Sequence, residues 1–268
     1  METGTEKQEK WYESMTVKMV LLAVMGLMLL IPLVLINEVI RERSANAETA
    51  RTEIGDLWAA AQTVTGPVLN VPGTRVVSND GSYVTTTMHL LPDELKVSGV
   101  LAPELRYRGI YETVVYDSDM KISGNFVIAG YEHLNDYIWQ WDKAYISLGV
   151  SDNKGISDKV EINVGGVIVS AIPGAGQTDL FDKGISFPFP IDPAKLAEFK
   201  GDFSLSLKLR GSGSVAFSPV GRTTEVAVSS VWDAPKFTGN FLPATRDVTD
   251  TGFTASWVVT HLNRSFPQ

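Results

Sequence analysis

A run of apolar residues without a charge occupies residues 19–36 near the start of the chain and reads MVLLAVMGLMLLIPLVLI. A helix rises about 1.5 Å per residue, so a run of this length is close to the hydrocarbon thickness of a bilayer. The pattern predicts a transmembrane helix, preceded by a polar tail at residues 1–18.

The alternative to an anchor is a cleaved signal peptide, because Ala45-Asn46-Ala47 has the small-x-small form of a cleavage site. Polar and charged residues separate the apolar run from that tripeptide, whereas cleavage normally falls within a few residues of the run. These residues are Asn37, Glu38, Arg41, Glu42 and Arg43. We therefore expect the segment to be retained. Basic residues are similarly frequent on both sides of it, so charge alone leaves the orientation open.

The apolar positions beyond the bilayer follow a helical spacing of three, four and seven residues. They are Ile40, Ala47, Ala50, Ile54, Leu57 and Ala61. This stripe predicts an amphipathic neck helix over residues 37–62, ending near Gln62. The stripe is either a self-association seam or a face that packs on the chain's own β domain. We favour packing, because Arg43 falls at a seam position and the helix is too short for four heptads.

From residue 63 onward the pattern alternates between apolar and polar positions, which is typical of β-strands. The clearest case runs from Val114 to Ile128, where Asp117, Asp119 and Lys121 occupy the polar face. Similar strand-like runs are present at residues 83–90, 145–150, 160–170, 223–232 and 253–260. We therefore expect a β-rich domain over residues 63–268.

A hairpin is predicted where the alternating run from Phe203 to Leu209 is followed by Gly211-Ser212-Gly213 and a second run through Val215 and Phe217. Two stretches, near residues 131–140 and 192–199, have the character of short helical turns. In the second, Asp192 is the expected N-cap and Pro193 the first helical residue.

Many short strands without a fixed-period repeat predict a mainly β fold, with antiparallel, sandwich-like or barrel-like sheets and room for two subdomains.

The composition excludes several classes of function. The formal net charge is -8 and the pI is about 5.0, so no basic surface for nucleic acid is expected. The chain has no cysteine, which excludes disulfides, thiolate metal sites and a cysteine nucleophile. It has three histidines, His89, His133 and His261, which is little material for imidazole chemistry.

Two glycine-containing motifs resemble catalytic or binding loops only in part. Gly174-Ala175-Gly176-Gln177 lacks the third glycine and the Lys-Ser/Thr pair of a phosphate loop, so we interpret it as a loop between strands. Ser212 lies between two glycines, but strands are predicted on both sides of it. A nucleophile elbow joins a strand to a helix instead, so we interpret Ser212 as part of a turn.

Two acidic groups were considered for chemistry. Asp117 and Asp119 share a strand face beside Lys121, which favours a solvated surface over a paired-carboxylate site. Glu132, His133 and Asp136 lack the spacing of a recognised metal motif. We therefore predict no catalytic residue, no cofactor and no metal ligand.

Aromatic residues are dense in the stretch YEHLNDYIWQWDKAY. Its rings Tyr131, Tyr137, Trp139 and Trp141 predict either core anchors or, as the less favoured interpretation, a surface for a sugar or lipid headgroup.

Several stretches in order resemble the CreD family of inner-membrane proteins. In the N-terminal half they are LLIPLVLINEVIRER, WAAAQTVTGPVLNVP and YRGIYETVVYDSDMKISGNF. In the C-terminal half they are LSLKLRGSGSVAFSPVGRTTEV, FTGNFLPATRDVTDTGFTASW and HLNRSFPQ.

The resemblance implies a Gram-negative inner-membrane protein with a cytoplasmic N-terminus and a periplasmic domain. It also implies a role in cell-envelope integrity and in a stress response to carbon source and β-lactams. Members of the family continue into several further transmembrane helices. Because this chain ends at Gln268 without a second apolar span, we expect it to be a fragment. The family offers no established catalytic residues to transfer.

Three hypotheses follow. The first is a non-catalytic, membrane-anchored envelope protein whose partners are the lipid bilayer and other envelope proteins. The second is a periplasmic binding module for a cell-wall or lipid fragment. The third is a hydrolase whose catalytic residues are scattered in the sequence.

Overall fold

The computed structural model describes residues 14–76, 82–131, 137–176 and 180–263. It divides into two units, one extending through Ala50 and the other beginning at Arg51. Helix α1 (Met15–Leu57) begins in the first unit and ends in the second. Within the described residues, α1 is the one helix long and apolar enough to cross a membrane. The apolar side chains of residues 19–36 are exposed on it, and Pro32 lies within it.

The predicted membrane span and neck form one uninterrupted helix. It ends at Leu57, five residues before the expected end at Gln62, and Gln62 instead begins the first strand. Ala61, the last residue of the predicted stripe, therefore lies beyond the helix.

Fifteen strands follow within the described residues. They are β1 (Gln62–Val76), β2 (Tyr83–Leu90), β3 (Glu94–Arg108), β4 (Tyr111–Asn125), β5 (Ile138–Trp139), β6 (Tyr145–Val150), β7 (Glu161–Val164), β8 (Val167–Ser170), β9 (Ile172–Pro173), β10 (Gly184–Pro188), β11 (Asp202–Ser212), β12 (Val215–Ser218), β13 (Thr223–Ser230), β14 (Thr245–Thr249) and β15 (Gly252–Thr260). Short 3-10 helices lie at Trp141–Lys143, Asn153–Gly155 and Pro193–Glu198.

The first sheet is built around the long strand β1. Its path is β12-β1-β6-β10-β9, and β2 and β5 pair with the later part of β1. The second sheet has the order β14-β15-β13-β3-β4-β11-β7-β8. Most neighbouring strands are antiparallel, as predicted, but β1 pairs with β12 and β3 pairs with β13 in parallel. The mainly β, sandwich-like class is confirmed, and the sheets are mixed.

One hydrophobic cluster joins the two sheets. Leu69, Ile146 and Phe187 of the first sheet are fully buried in the same cluster as Ile122 and Leu207 of the second. Burial of side chains of this size contributes about 1.5–3 kcal/mol each relative to exposure. The shared core therefore holds the two sheets together as a single layered domain.

The predicted hairpin at residues 203–217 is wrong. Strand β11 pairs with β4 and β7 in the second sheet, whereas β12 pairs with β1 in the first. Gly213 and Ser214 carry the chain from β11 in one sheet to β12 in the other, and Gly213 has a positive φ of 70° there. Alternation in two runs beside a glycine turn predicts two strands, but it does not determine whether they are partners.

The predicted helical turn at residues 192–199 is confirmed as a 3-10 helix. The Asp192 side chain accepts a hydrogen bond from the Ala194 backbone N–H at 3.0 Å, and Pro193 is the first helical residue. The other predicted turn lies partly outside the described residues. Its described end forms β5, and a 3-10 helix follows at Trp141–Lys143.

Candidate functional site

The carboxylates considered for chemistry lie on a solvated sheet face. Asp117 accepts a hydrogen bond from Arg210 Nε at 2.9 Å, and Asp119 lies opposite Lys208 on β11. Lys208 also forms an ion pair of 3.1 Å with Asp158. That pair raises the pKa of Lys208 and lowers the pKa of Asp158, and both side chains are exposed. The solvated-surface interpretation of Asp117 and Asp119 is confirmed.

The Gly174-Ala175-Gly176 motif lies in a connection between strands, as predicted, whereas the prediction that Ser212 is part of a turn is wrong. Gly174, Ala175 and Gly176 follow β9 in the segment that leads to β10, and Gln177 lies outside the described residues. Ser212 is the last residue of β11 and is buried between two strands. The possible ligands Glu132, His133 and Asp136 lie outside the described residues. In the part of the chain that is described, no cluster of three His, Asp or Glu residues is arranged to hold a metal ion.

The aromatic stretch at residues 131–141 does not form one surface. Trp141 is 3% exposed and belongs to the core. Trp139 packs against that core and stacks on Tyr137 with ring centroids 5.3 Å apart. Gly73 makes this close approach possible, because a Cβ at that position would lie 2.5 Å from the Trp139 ring. Trp139 and Trp141 are therefore core anchors, and the less favoured prediction of a recognition surface is wrong for Trp141.

A different group of aromatic residues lines a mainly apolar cavity of about 510 Å³ that is partly open to solvent. Its walls come from β12 of the first sheet and from β3, β4, β13 and β15 of the second. Phe217, Phe253 and Trp257 supply rings from the strands, and Val226 and Val228 supply aliphatic surface. The volume lies in the range of about 300–1,000 Å³ that ligand pockets typically occupy.

The segment of residues 231–244, which has no regular secondary structure, covers one side of this cavity. Phe237 packs edge-on against Phe253 and Trp257, with centroid distances of 5.6 and 5.8 Å. Trp257 Nε1 donates to the Phe241 carbonyl at 3.2 Å, which ties the segment to β15. Trp232 Nε1 donates within the segment to the Ala234 carbonyl at 3.0 Å. The cover is thus held by aromatic contacts and by indole hydrogen bonds.

Tyr116 forms part of the opposite wall. It is 5% exposed, and its hydroxyl donates to the Ser214 carbonyl at 2.8 Å. Burial raises the pKa of Tyr116 far above its ordinary value. The hydroxyl is therefore neutral and engaged in a structural hydrogen bond.

Replacing Tyr116 with phenylalanine is expected to weaken the dependence of stability on alkaline pH. The unfolded tyrosine loses its proton near pH 10, approximately, whereas the folded one keeps it. The wild-type free energy of unfolding is therefore independent of this group below about pH 10 and falls above it. In Tyr116→Phe that fall is smaller, while near neutral pH the variant is about 1 kcal/mol less stable because the hydrogen bond is lost.

The measurement is denaturant unfolding of the full chain in detergent micelles at neutral and alkaline pH. Tyr83→Phe is the control, since Tyr83 is 69% exposed. Equal alkaline slopes for the wild type and Tyr116→Phe would contradict the expectation.

The sequence analysis did not single out this cavity. Trp232 and Trp257 lie in predicted strand runs, and Phe237 and Phe241 lie in a stretch without periodicity. The available signal was the density of apolar rings between Pro235 and Pro243 in a segment that matches neither a strand nor a helix.

These features define a class: a membrane protein with one apolar N-terminal helix and a two-sheet β domain that contains an apolar cavity. The sequence matches the family described as Inner membrane protein CreD over residues 14–268. The chain belongs to the CreD family, and it is an inner-membrane protein.

Inner membrane protein CreD of Escherichia coli (strain K12) is 31% identical to the chain over 237 residues, which are 86% of this chain and 52% of that protein. The chain therefore spans about half the length of this relative. No solved structure matches the chain.

Proposed function

We propose that the chain is the anchored part of a cell-envelope integrity and stress-response protein that acts without catalysis, through contacts of a periplasmic β domain at residues 63–268. Membership of the CreD family carries this proposal. On this view the N-terminus is cytoplasmic and α1 crosses the inner membrane once. Other envelope proteins are the proposed partners.

The chemistry of the described residues supports a non-catalytic role. Among the described residues, none that lines the cavity is a histidine, aspartate or glutamate. The exposed acidic groups Asp117 and Asp158 are paired with basic side chains. Tyr116 is buried and donates to a backbone carbonyl. These polar groups are paired within the fold and are not positioned to react with a substrate. This weighs against the hypothesis of a hydrolase whose catalytic residues are scattered in the sequence.

The alternative proposal is a periplasmic binding module for a cell-wall or lipid fragment. Its original motive, the rings around Trp139 and Trp141, is weakened by the burial of Trp141. The cavity beneath residues 231–244 is the observation that favours it.

Cysteine labelling tests the proposed orientation, because the native chain has no cysteine. Lys195→Cys places a thiol on the exposed 3-10 helix Pro193–Glu198, and Ser14→Cys places one just before α1. With the outer membrane permeabilised, we expect a membrane-impermeant maleimide to label Lys195→Cys. Ser14→Cys is expected to react only after the inner membrane is opened. The reverse pattern would overturn the periplasmic placement.

The same Lys195→Cys variant, labelled with a maleimide that carries a photo-crosslinker, tests the proposed mode of action. We expect illumination to join it to specific envelope proteins. Labelling without crosslinked partners would leave the periplasmic placement intact and contradict action through protein contacts.

A further inference from the structure

We propose that the cavity beneath residues 231–244 binds a single long acyl chain with an anionic head group, of the fatty-acid class. This inference goes beyond the proposed envelope role, and it holds whichever side of the membrane the domain occupies. It depends on the apolar lining, the state of the polar groups in that lining, and the position of one basic side chain.

The buried and half-buried polar groups of the lining already have partners inside the protein, whereas Thr238 and Asn240 are exposed to solvent. Trp232 Nε1 and Trp257 Nε1 donate to backbone carbonyls, and the Tyr116 hydroxyl does the same. The Thr224 hydroxyl accepts from the Gly221 backbone N–H at 3.0 Å. A sugar would need such groups for its own hydroxyls, because buried polar groups without partners are costly. The cavity therefore favours a ligand that is apolar along its length.

The volume of the cavity also fits an apolar ligand. The cavity of about 510 Å³, which Leu101, Val226, Val228, Phe253 and Trp257 help to line, is large enough for a flexible aliphatic chain. The chain is also an inner-membrane protein, so molecules with long acyl chains are abundant around it. Transfer of apolar surface out of water supplies the driving force for binding.

The charge of one lining residue favours an anionic head group on the ligand. The protein has 31 acidic and 23 basic residues, yet the one charged side chain that lines the cavity is Lys236. Lys236 is exposed and forms no ion pair with another described residue. An ammonium group beside an apolar cavity is complementary to a carboxylate at the end of an acyl chain.

Tryptophan quenching by 9,10-dibromostearate tests the proposal on the full chain in non-ionic micelles, because bromine quenches nearby indoles. Of the six tryptophans, Trp232 and Trp257 line the cavity. We expect saturable quenching of the wild type, which is lost in the Trp232→Phe/Trp257→Phe double variant. The four remaining tryptophans of that variant report quenching by probe that is dissolved in the micelle.

Two variants distinguish binding in the cavity from partitioning of the probe into the micelle. Ala234→Phe fills the cavity from an exposed position and is expected to raise the half-saturating probe concentration at least about tenfold. Ala197→Phe, on the exposed 3-10 helix, is its matched control and should leave the concentration unchanged. An unchanged thermal midpoint shows that each variant is folded.

The head group is tested with Lys236→Glu. We expect it to weaken dibromostearate binding about fivefold or more while changing the neutral methyl ester less than about twofold. Lys195→Glu, also exposed, is the control. Unsaturable quenching, or the same half-saturation for Ala234→Phe and wild type, would overturn the cavity as a lipid site. Identical behaviour of Lys236→Glu and Lys195→Glu would overturn the anionic head group.

Discussion

Replacing Gln62 with leucine is expected to lower the free energy of unfolding by about 3 kcal/mol, because it leaves three partly buried backbone groups without their partner. Gln62 is 1% exposed at the start of β1. Its Nε2 donates to the carbonyls of Asp152 and Arg210 at 3.0 and 3.1 Å, and its Oε1 accepts from the Asp152 N–H at 3.2 Å. One side chain thus joins the first sheet, the loop after β6 and the end of β11.

Leucine has a similar volume, so the loss in Gln62→Leu reports on hydrogen bonds more than on packing. The measurement is denaturant unfolding of the full chain in micelles, followed by tryptophan fluorescence. Gln140→Leu is the matched control, because Gln140 is half-buried and its side chain bonds to no described residue. It should change stability by less than about 0.5 kcal/mol. A cost for Gln62→Leu no larger than that of the control would show that the three backbone groups find other partners.

Asn70→Leu is the second substitution with a large expected cost, again about 3 kcal/mol. Asn70 lies in the middle of β1 and is fully buried. Its Nδ2 donates to Ser147 Oγ at 2.7 Å on β6, and its Oδ1 contacts His89 Nδ1 at 2.7 Å on β2. The side chain therefore connects three neighbouring strands. A slip of β2 or β6 by one residue would break these contacts, so Asn70 also selects the register.

A double-mutant cycle that combines Asn70→Leu with Ser147→Ala measures the energy of the contact between Asn70 and Ser147. In the wild-type background, we expect Ser147→Ala to cost about 1 kcal/mol more than it does in the Asn70→Leu background, because its partner is then already absent. Strict additivity of the two substitutions would contradict a shared polar network.

Several of the strands that were predicted have two faces in different surroundings, whereas the predicted strand β6 is buried along nearly its whole length. In β4, Met120 and Ile122 face the core, while Asp119 and Lys121 face water, so period-two alternation is visible in the sequence. The runs at residues 83–90 and 145–150 match β2 and β6.

The strands that the sequence analysis missed lack that contrast or contain turn residues. Strand β1 is buried on both faces along most of its length and contains Gly66-Pro67 and Pro72-Gly73, which ordinarily indicate a turn. Strand β14 is exposed at every residue, so its sequence does not alternate. Strand β3 alternates, but Pro103 interrupts its apolar face. A strand whose two faces differ in burial can be recognised from its local sequence pattern. A strand with uniform surroundings lacks that pattern, so its formation depends on tertiary context.

The cavity could not be predicted for a related reason. Its walls combine Leu101, Phe217, Phe237 and Trp257. These residues are distant in sequence and meet only because β12 belongs to the first sheet while β3, β13 and β15 belong to the second. The density of aromatic residues at 131–141 was a clearer local signal, but Trp139 and Trp141 in that stretch support the core. Ring density indicates anchoring, and only the arrangement of strands determines which rings surround a cavity.

The two parallel pairings have a consequence for synthesis. Strand β1 begins at Gln62 and its partner β12 begins at Val215, and β3 begins at Glu94 with its partner β13 at Thr223. Each early strand therefore emerges from the ribosome long before the strand that completes its edge. Pairings so distant in sequence close slowly, and open edges invite association with other chains until they close. One edge of β1 and one edge of β3 therefore stay open until β12 and β13 have been translated.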